Sequence, residues 1–322
     1  MFNLDRLDEN WYQKVYHCYS DIIMKTFEFY GNKPDFYASA LPITTNSISS
    51  PMGLGSDSLP VEIDLFSEKT FLADSMQFLL EYGLRFKGKG AFYIMPTFRG
   101  EALDERHLNQ FYHSECEISG SLTDVMVLCE EYIKFIVSFI ISQPYYDVEE
   151  KTKKDIENIM KLKEFPKIKF EDAKILMLEN NINGIDVIDG IEVVNSTGER
   201  WLIEYYSGVV WLMNPLHISV PFYQAYDSIN KNYAKCADLL LGMGETLGCG
   251  ERANYLEVIR SLEEHSVDLS DYEWYIEMKK RYPLKTSGFG LGIERLIAWL
   301  FNIDDIRKIP YVSRENGKII FP

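Results

Sequence analysis

Hydrophobic and polar positions along the chain change period several times, and each change predicts an element. Residues 8–30 place Trp11, Val15, Ile22, Phe27 and Phe29 among the apolar positions of a helix. "GNKPDFYASALPITT" reads as a turn running into an extended segment where Pro42 limits strand pairing. A Gly/Ser/Pro-rich loop over 47–60 precedes the alternating strand "VEIDLF". "TFLADSMQFLLEYGLR" begins extended and becomes helical near Ser75. "GAFYIMPTFRGE" and "QFYHSECEIS" are strands joined by the polar loop "ALDERHLN", so 91–120 forms a long hairpin. A helix near 122–142 follows, then a segment from about 143 to 200 that reads as an insertion, ending in the β-type stretches "GIEVVN" and "RWLIEYY". "AKCADLLLGMGETLGCGER" predicts strand, glycine turn, strand, and 253–265 and 271–281 predict helices. Last comes "SGFGLGIERLIAWL", with glycine at every second position and then a helix whose Leu296, Ile297, Trp299 and Leu300 form an apolar face. Strands adjacent in sequence, separated by helices, argue for an antiparallel sheet flanked by helices. The expected fold class is α+β, in one domain over 1–322.

Composition narrows the function. With 46% hydrophobic residues in 322, the chain can bury a full core, and no apolar run is long enough to span a membrane. The charged N-terminus lacks the apolar stretch of a signal peptide. Cys18, Cys116, Cys129, Cys236 and Cys249 form no CxxC pair, which disfavours a disulfide framework or zinc site and implies reduced thiols in the cytoplasm. Asp and Glu outnumber Lys and Arg by 49 to 33, a net charge of −16. Nucleic acid held by its phosphates generally needs a basic surface. The lysine-rich stretch 149–172 is interleaved with acids and reads as a solvated helical face. From charge alone, tRNA is therefore not expected as a partner.

The candidate chemistry lies around the hairpin and the glycines. Arg99, Glu101, Arg106 and His107 gather at the hairpin tip, with Phe111 on the returning strand. Guanidinium groups fork phosphate oxygens, and an aromatic ring can stack a purine. Arg295 adds a guanidinium at a helix start, and Glu245 is a carboxylate suited to Mg2+. Arg252 lies seven residues beyond Glu245, an odd spacing that puts the two on opposite strand faces unless a bulge intervenes; Gly248 and Gly250 would permit one. A dinucleotide-binding glycine loop is excluded for "GFGLG", because no βαβ unit fits in the chain that follows. Several arginines, a Mg2+-competent carboxylate and an aromatic clamp are what nucleotidyl transfer from ATP requires.

"TFRGEALDERHLNQFYHSECE" resembles motif 2 of the class II aminoacyl-tRNA synthetases, "GFGLGIER" their motif 3, and "EFYGNKPDFYASALPITT" their motif 1, with Pro42 as its proline. "GETLGCGER" and "DYEWYIEMKKRYPLKTSGFGLGIERLIAWL" resemble segments of the asparaginyl and aspartyl branch. The resemblance implies that Arg99 grips the α-phosphate, Arg106 and Arg295 the outer phosphates with help from His107, and Glu101 the adenine edge. Phe111 would stack the adenine against Arg295, Glu245 would hold Mg2+, and the alternate glycines would let ATP lie on the sheet. For the amino acid it implies Gln77, Glu115 and Arg252, with Asp74 suited to the α-ammonium. Motif 1 implies a homodimer.

Two departures shape the expected function. Members of this branch carry an N-terminal anticodon-binding barrel, whereas residue 1 here lies at the motif 1 helix. Size and motifs resemble a tRNA-independent relative, the archaeal-type asparagine synthetase, which implies an ATP-dependent ligase passing an activated amino acid to ammonia or another amine. The alternatives are an asparaginyl-type aminoacyl-tRNA ligase or aminoacyl-tRNA-using transferase, and a non-catalytic amino-acid-binding paralogue. Leu80 stands where aspartate-specific members place a lysine, so asparagine is expected to bind better than aspartate.

Overall fold

The computed structural model describes residues 4–49 and 59–321. Most of the expected Gly/Ser/Pro-rich loop, residues 50–58, lies outside them. Eight strands form the central sheet, in the order Phe36–Ala38, Gly90–Phe98, Gln110–Ser119, Thr286–Gly292, Gly244–Glu251, Cys236–Leu241, Val209–Met213, Lys167–Lys169. The six inner strands are antiparallel; the three-residue strand at each end pairs parallel to its neighbour. A small three-stranded sheet (Thr44–Thr45, Glu68–Leu72, Val61–Leu65) and the hairpin Ile185–Ile188/Ile191–Val194 complete the β-structure of the described residues.

Alternation along the strands sorts the two faces of the sheet. Cys116, Ile118, Leu239, Leu247, Cys249, Phe289 and Leu291 point to one face and are buried. There they meet three helices, Asn10–Gly31, Leu122–Ser142 and Ile293–Leu300, whose stripes include Val15, Ile22, Val125, Ile133, Leu296 and Ile297. The Leu122–Ser142 helix begins at a capping box between Ser121 and Asp124, which satisfies two otherwise orphaned donors. The Tyr132 hydroxyl joins this layer together, 2.6 Å from Thr26 Oγ1 and 2.9 Å from Ser114 Oγ. Glu115, Glu117, Gly248, Gly250, Gly288 and Gly290 occupy the opposite face, beside the short helix Gln77–Leu84.

Three differences from the sequence reading have physical causes. The segment expected as an insertion supplies the strand Lys167–Lys169, and the chain just after it supplies Val209–Met213. These widen the main sheet around a second apolar cluster that includes Ile168, Met177, Leu202 and Val210. "RWLIEYY" belongs to the helix Ser196–Tyr205 and not to a strand. Asn195 caps that helix by accepting from Thr197 N and Gly198 N, both at 3.0 Å, and the cap with tertiary packing overrides the β-propensity of the aromatic run. The bulge also lies elsewhere than at the glycines. Leu239 pairs with Leu247 and Leu240 with Glu245, so Thr246 is the extra residue. Its hydroxyl donates to Leu241 O at 2.8 Å. That single extra residue brings Glu245 to the face of Gly248, Gly250 and Arg252.

Glu294 ties the three-helix layer to the hairpin. Buried at the start of the last α-helix, it accepts from Tyr19 Oη at 2.7 Å and from Tyr112 N at 3.1 Å. Burial pushes its carboxyl up to about 7, although those hydrogen bonds pull the other way. The folded state therefore holds a proton here that the unfolded chain releases near pH 4.5. The resulting stabilisation is full below that pH and is lost as pH rises through about 7. Glu294→Gln should remove this decline, a difference on the order of 3 kcal/mol across the window. Urea unfolding of both proteins at pH 5 and pH 8 measures it; parallel pH dependences would contradict the assignment.

Candidate active site

The hairpin tip is built from its own backbone. Asn109 Nδ2 donates to the carbonyls of Arg99 (3.0 Å) and Glu101 (2.6 Å), closing the loop. Asp104 accepts from the backbone N–H groups of Arg106 at 2.7 Å and His107 at 2.8 Å, and faces His107 Nδ1 at 2.9 Å. Burial raises the Asp104 carboxyl, but the His107 contact and those backbone donors outweigh it and leave it below the usual range. His107, expected beside the outer phosphates, is thus turned to Asp104 within the loop.

The three expected arginines do come together. The Arg99 guanidinium lies 5.6 Å from the centre of the Phe111 ring and 3.9 Å from Glu101 Oε1. Arg106 pairs with Glu199, and Arg295 donates to Glu245 O and, at 3.4 Å, to Arg106 O. Arg99 Nε, Glu101 Oε1, Arg106 Nε and Gln77 Nε2 are buried without a hydrogen-bond partner among the described residues. Buried polar atoms are rarely left unpaired. Four such atoms lie on residues expected to bind ligand.

Beside the arginines, Asp238 and Glu245 converge from adjacent strands. A Cβ added at Gly248 would stand 2.8 Å from Glu245 Oε1 and 3.4 Å from Asp238 Oδ1. Burial, with Glu245 and Glu199 nearby, pushes the Asp238 carboxyl well above its usual range. Two hard oxygens that resist sharing a small volume fit a Mg2+ ion that completes its shell with phosphate and water. Asp238 is absent from the sequence reading, although strand alternation could have found it: it falls on the face opposite Ala237 and Leu239. Glu199 falls between the two stretches read as strands and was not singled out.

Further along the same face lies a second cluster. Glu115 accepts from Ser75 Oγ at 2.6 Å and from Tyr93 Oη, and lies 3.0 Å from His113 Nδ1. Asp74 is buried nearby and accepts from Ser49 N at 3.1 Å. Arg252 donates Nε to both oxygens of Glu117 (3.0 and 3.2 Å), Nη2 to Glu117 Oε2 (2.8 Å) and Nη1 to Gln224 Oε1 (3.0 Å). Glu117 was missed as well; two residues past Glu115 on one strand, it had to share that face. Behind it, Glu81 accepts from Lys279 Nζ at 2.7 Å and from Tyr275 Oη. The glycines serve these groups in part. A Cβ at Gly288 would collide with Glu117 and stand 2.6 Å from Arg252 Nη2, and one at Gly250 would collide with Gln224. Those two glycines make room for protein side chains, contrary to the expectation that all lie open to ATP. Leu80 is fully buried among Ala73, Met76, Leu84, Ala91 and Tyr93, so a lysine at 80 would bury an ammonium in an apolar cluster.

An arginine cluster, a carboxylate pair and a cluster of buried polar side chains around Glu115 and Glu117 share one face of an antiparallel sheet. The family described as tRNA synthetases class II (D, K and N) matches residues 4–315. The chain belongs to this family. Curated relatives include asparagine–tRNA ligases of Thermoplasma acidophilum, 31% identical over 78% of this chain, and of Koribacter versatilis, 29% identical over 90% of it. The chain covers 58% and 66% of their respective lengths. Its fold is similar to that of Pyrococcus horikoshii asparaginyl-tRNA synthetase complexed with asparaginyl-adenylate, with a TM-score of 0.82 at 24% identity over 96% of this chain and 70% of that one.

Loss of Arg99 should remove charge stabilisation at the triphosphate while leaving the fold intact, since its side chain is partly exposed. Arg99→Ala is expected to slow amino-acid-dependent ATP–pyrophosphate exchange by about 10²–10³-fold with little change in Tm. Arg295→Ala should slow it similarly and also lower Tm, because Arg295 bridges a strand and the motif 2 loop. Unchanged exchange in Arg99→Ala would refute the site.

Proposed function

We propose that this chain activates asparagine as asparaginyl-adenylate and acts as an asparaginyl-type aminoacyl-tRNA ligase. The observation that carries the amino-acid choice is the Arg252–Glu117 pair, buried beside Gln224, with Glu117 two residues along the strand from Glu115. A side-chain amide presents both an acceptor and a donor, and an arginine next to a carboxylate can meet both. An aspartate carboxylate offers acceptors only and would face Glu117 and Glu115. An uncompensated buried charge costs several kcal/mol. Leucine at position 80 is consistent with this choice. ATP would lie with its phosphates toward Arg99, Arg106 and Arg295 and its purine between Phe111 and Arg295. Asp238 and Glu245 would hold Mg2+, which would neutralise charge on the leaving pyrophosphate.

The tRNA-free reading, in which an asparagine synthetase-like enzyme passes the activated amino acid to ammonia, loses its support, because the relatives are named as tRNA ligases. The expectation that tRNA is not a partner loses support for the same reason. We also propose that the chain is a homodimer. Its edge strand Phe36–Ala38 pairs on one side within the chain, and Met24, Phe27, Tyr37 and Ile43 expose apolar surface nearby. Among the described residues no helix is long and apolar enough to cross a membrane.

Exchange measured with Asp, Asn, Glu and Gln should give the highest kcat/KM for Asn, at least about tenfold above Asp, the scale of one poorly compensated charge. Strong activity on Asp alone would overturn the pocket argument. Charging of tRNA, followed as an acid-gel shift, separates the two acceptors: aminoacylation supports the tRNA reading, and ammonia-dependent asparagine formation from Asp reinstates the other. Light scattering at micromolar concentration should give twice the chain mass.

A further inference from the structure

We propose that Glu199 is a positioning residue for the triphosphate: it anchors one side of the Arg106 guanidinium so that the other side faces the outer phosphates. The inference rests on Arg106 serving those phosphates.

The geometry around Arg106 is one-sided. Its Nη2 donates to Glu199 Oε2, while its Nε is buried and has no partner among the described residues. A guanidinium carries five donors in a rigid plane, so fixing one edge aims the others. Glu199 is well placed to do this because its own helix is fixed. Asn195 caps that helix, Leu202 and Ile203 are buried, and Gly198 packs so closely that a Cβ there would stand 2.9 Å from Met177 Sδ. The turn at Gly244 completes the seat. With φ at +143° it adopts a backbone that favours glycine, and any side chain there would strike both Arg106 and Glu199. Glu199 lies in the segment between motifs 2 and 3, so the anchor links that segment to the nucleotide end of the site.

A surface ion pair would tolerate its own loss; an anchor would change how phosphates bind. Glu199→Ala should raise the exchange KM for both ATP and pyrophosphate about tenfold, because a loose guanidinium must be ordered at each binding event. The KM for asparagine should stay within about twofold, and Glu199→Gln, which keeps an acceptor, should lie within about threefold of wild type. In an Arg106→Ala background, Glu199→Ala should add less than about twofold, since two residues acting through one contact are not additive. An equal rise in all three KM values, a fall in kcat alone, or full additivity with Arg106→Ala would overturn the proposal. Calorimetric binding of magnesium pyrophosphate to the same four proteins (wild type, the two single alanine variants and the double) requires no turnover. If the wild type exchanges no amino acid, the functional reading fails, yet this titration still decides the anchor: a non-additive loss supports it and an additive one refutes it.

Discussion

The Arg252–Glu117 pair spans three strands at the centre of the sheet. Glu117 comes from one side, Arg252 follows the strand on the other, and both meet above Gly288 on the strand between. Glycine at 288 is the condition for the pair to exist, because a Cβ there would collide with Glu117. Removing either partner would leave the other charged and dry, which is far costlier than losing a surface bridge. Glu81 and Lys279 lie behind it, equally buried, so the pair belongs to a four-charge cluster holding the helices Gln77–Leu84 and Glu273–Arg281 against the sheet.

Charge in this chain is unevenly placed. The whole molecule is strongly acidic, yet Arg99, Arg106 and Arg295 converge at one end of one sheet face. Like charges gathered this way are held by carbonyls and carboxylates: Arg295 by Glu245 O and Arg106 O, Arg106 by Glu199. The same carboxylates, with Asp238, crowd one another and favour a cation. Positive and negative groups thus lie side by side at this end of the sheet face, held in place by the fold.

Much of this was legible from residue order. The hairpin read over 91–120 spans Gly90–Ser119, the final strand was also located, and the helix read near 122–142 spans Leu122–Ser142. Local readings failed where a distant contact decides. The bulge was foreseen from the odd spacing of Glu245 and Arg252 but placed at the glycines, because only the pairing with Leu239 and Leu240 shows that Thr246 is the extra residue. Tyr205 and Tyr206 read as strand because aromatic runs suit sheets, and the Asn195 cap was not weighed. Glu199, just before that stretch, was not singled out, because only the helix Ser196–Tyr205 carries it toward Arg106. His107 was read as a phosphate ligand without weighing the local contact by which Asp104, three residues earlier, faces its ring.

The two rims of the sheet are not alike. One ends in Lys167–Lys169, a short Lys-Ile-Lys strand with both lysines exposed, the kind of edge that repels a further strand. The other ends in Phe36–Ala38, equally short but carrying Tyr37 and set beside exposed Met24 and Phe27. A sheet that is closed to neighbours on one side and receptive on the other has no means of propagating strand by strand. Self-association through it can therefore end at a pair and cannot grow into a fibre, which lets the chain keep an apolar edge without the hazard such edges usually bring.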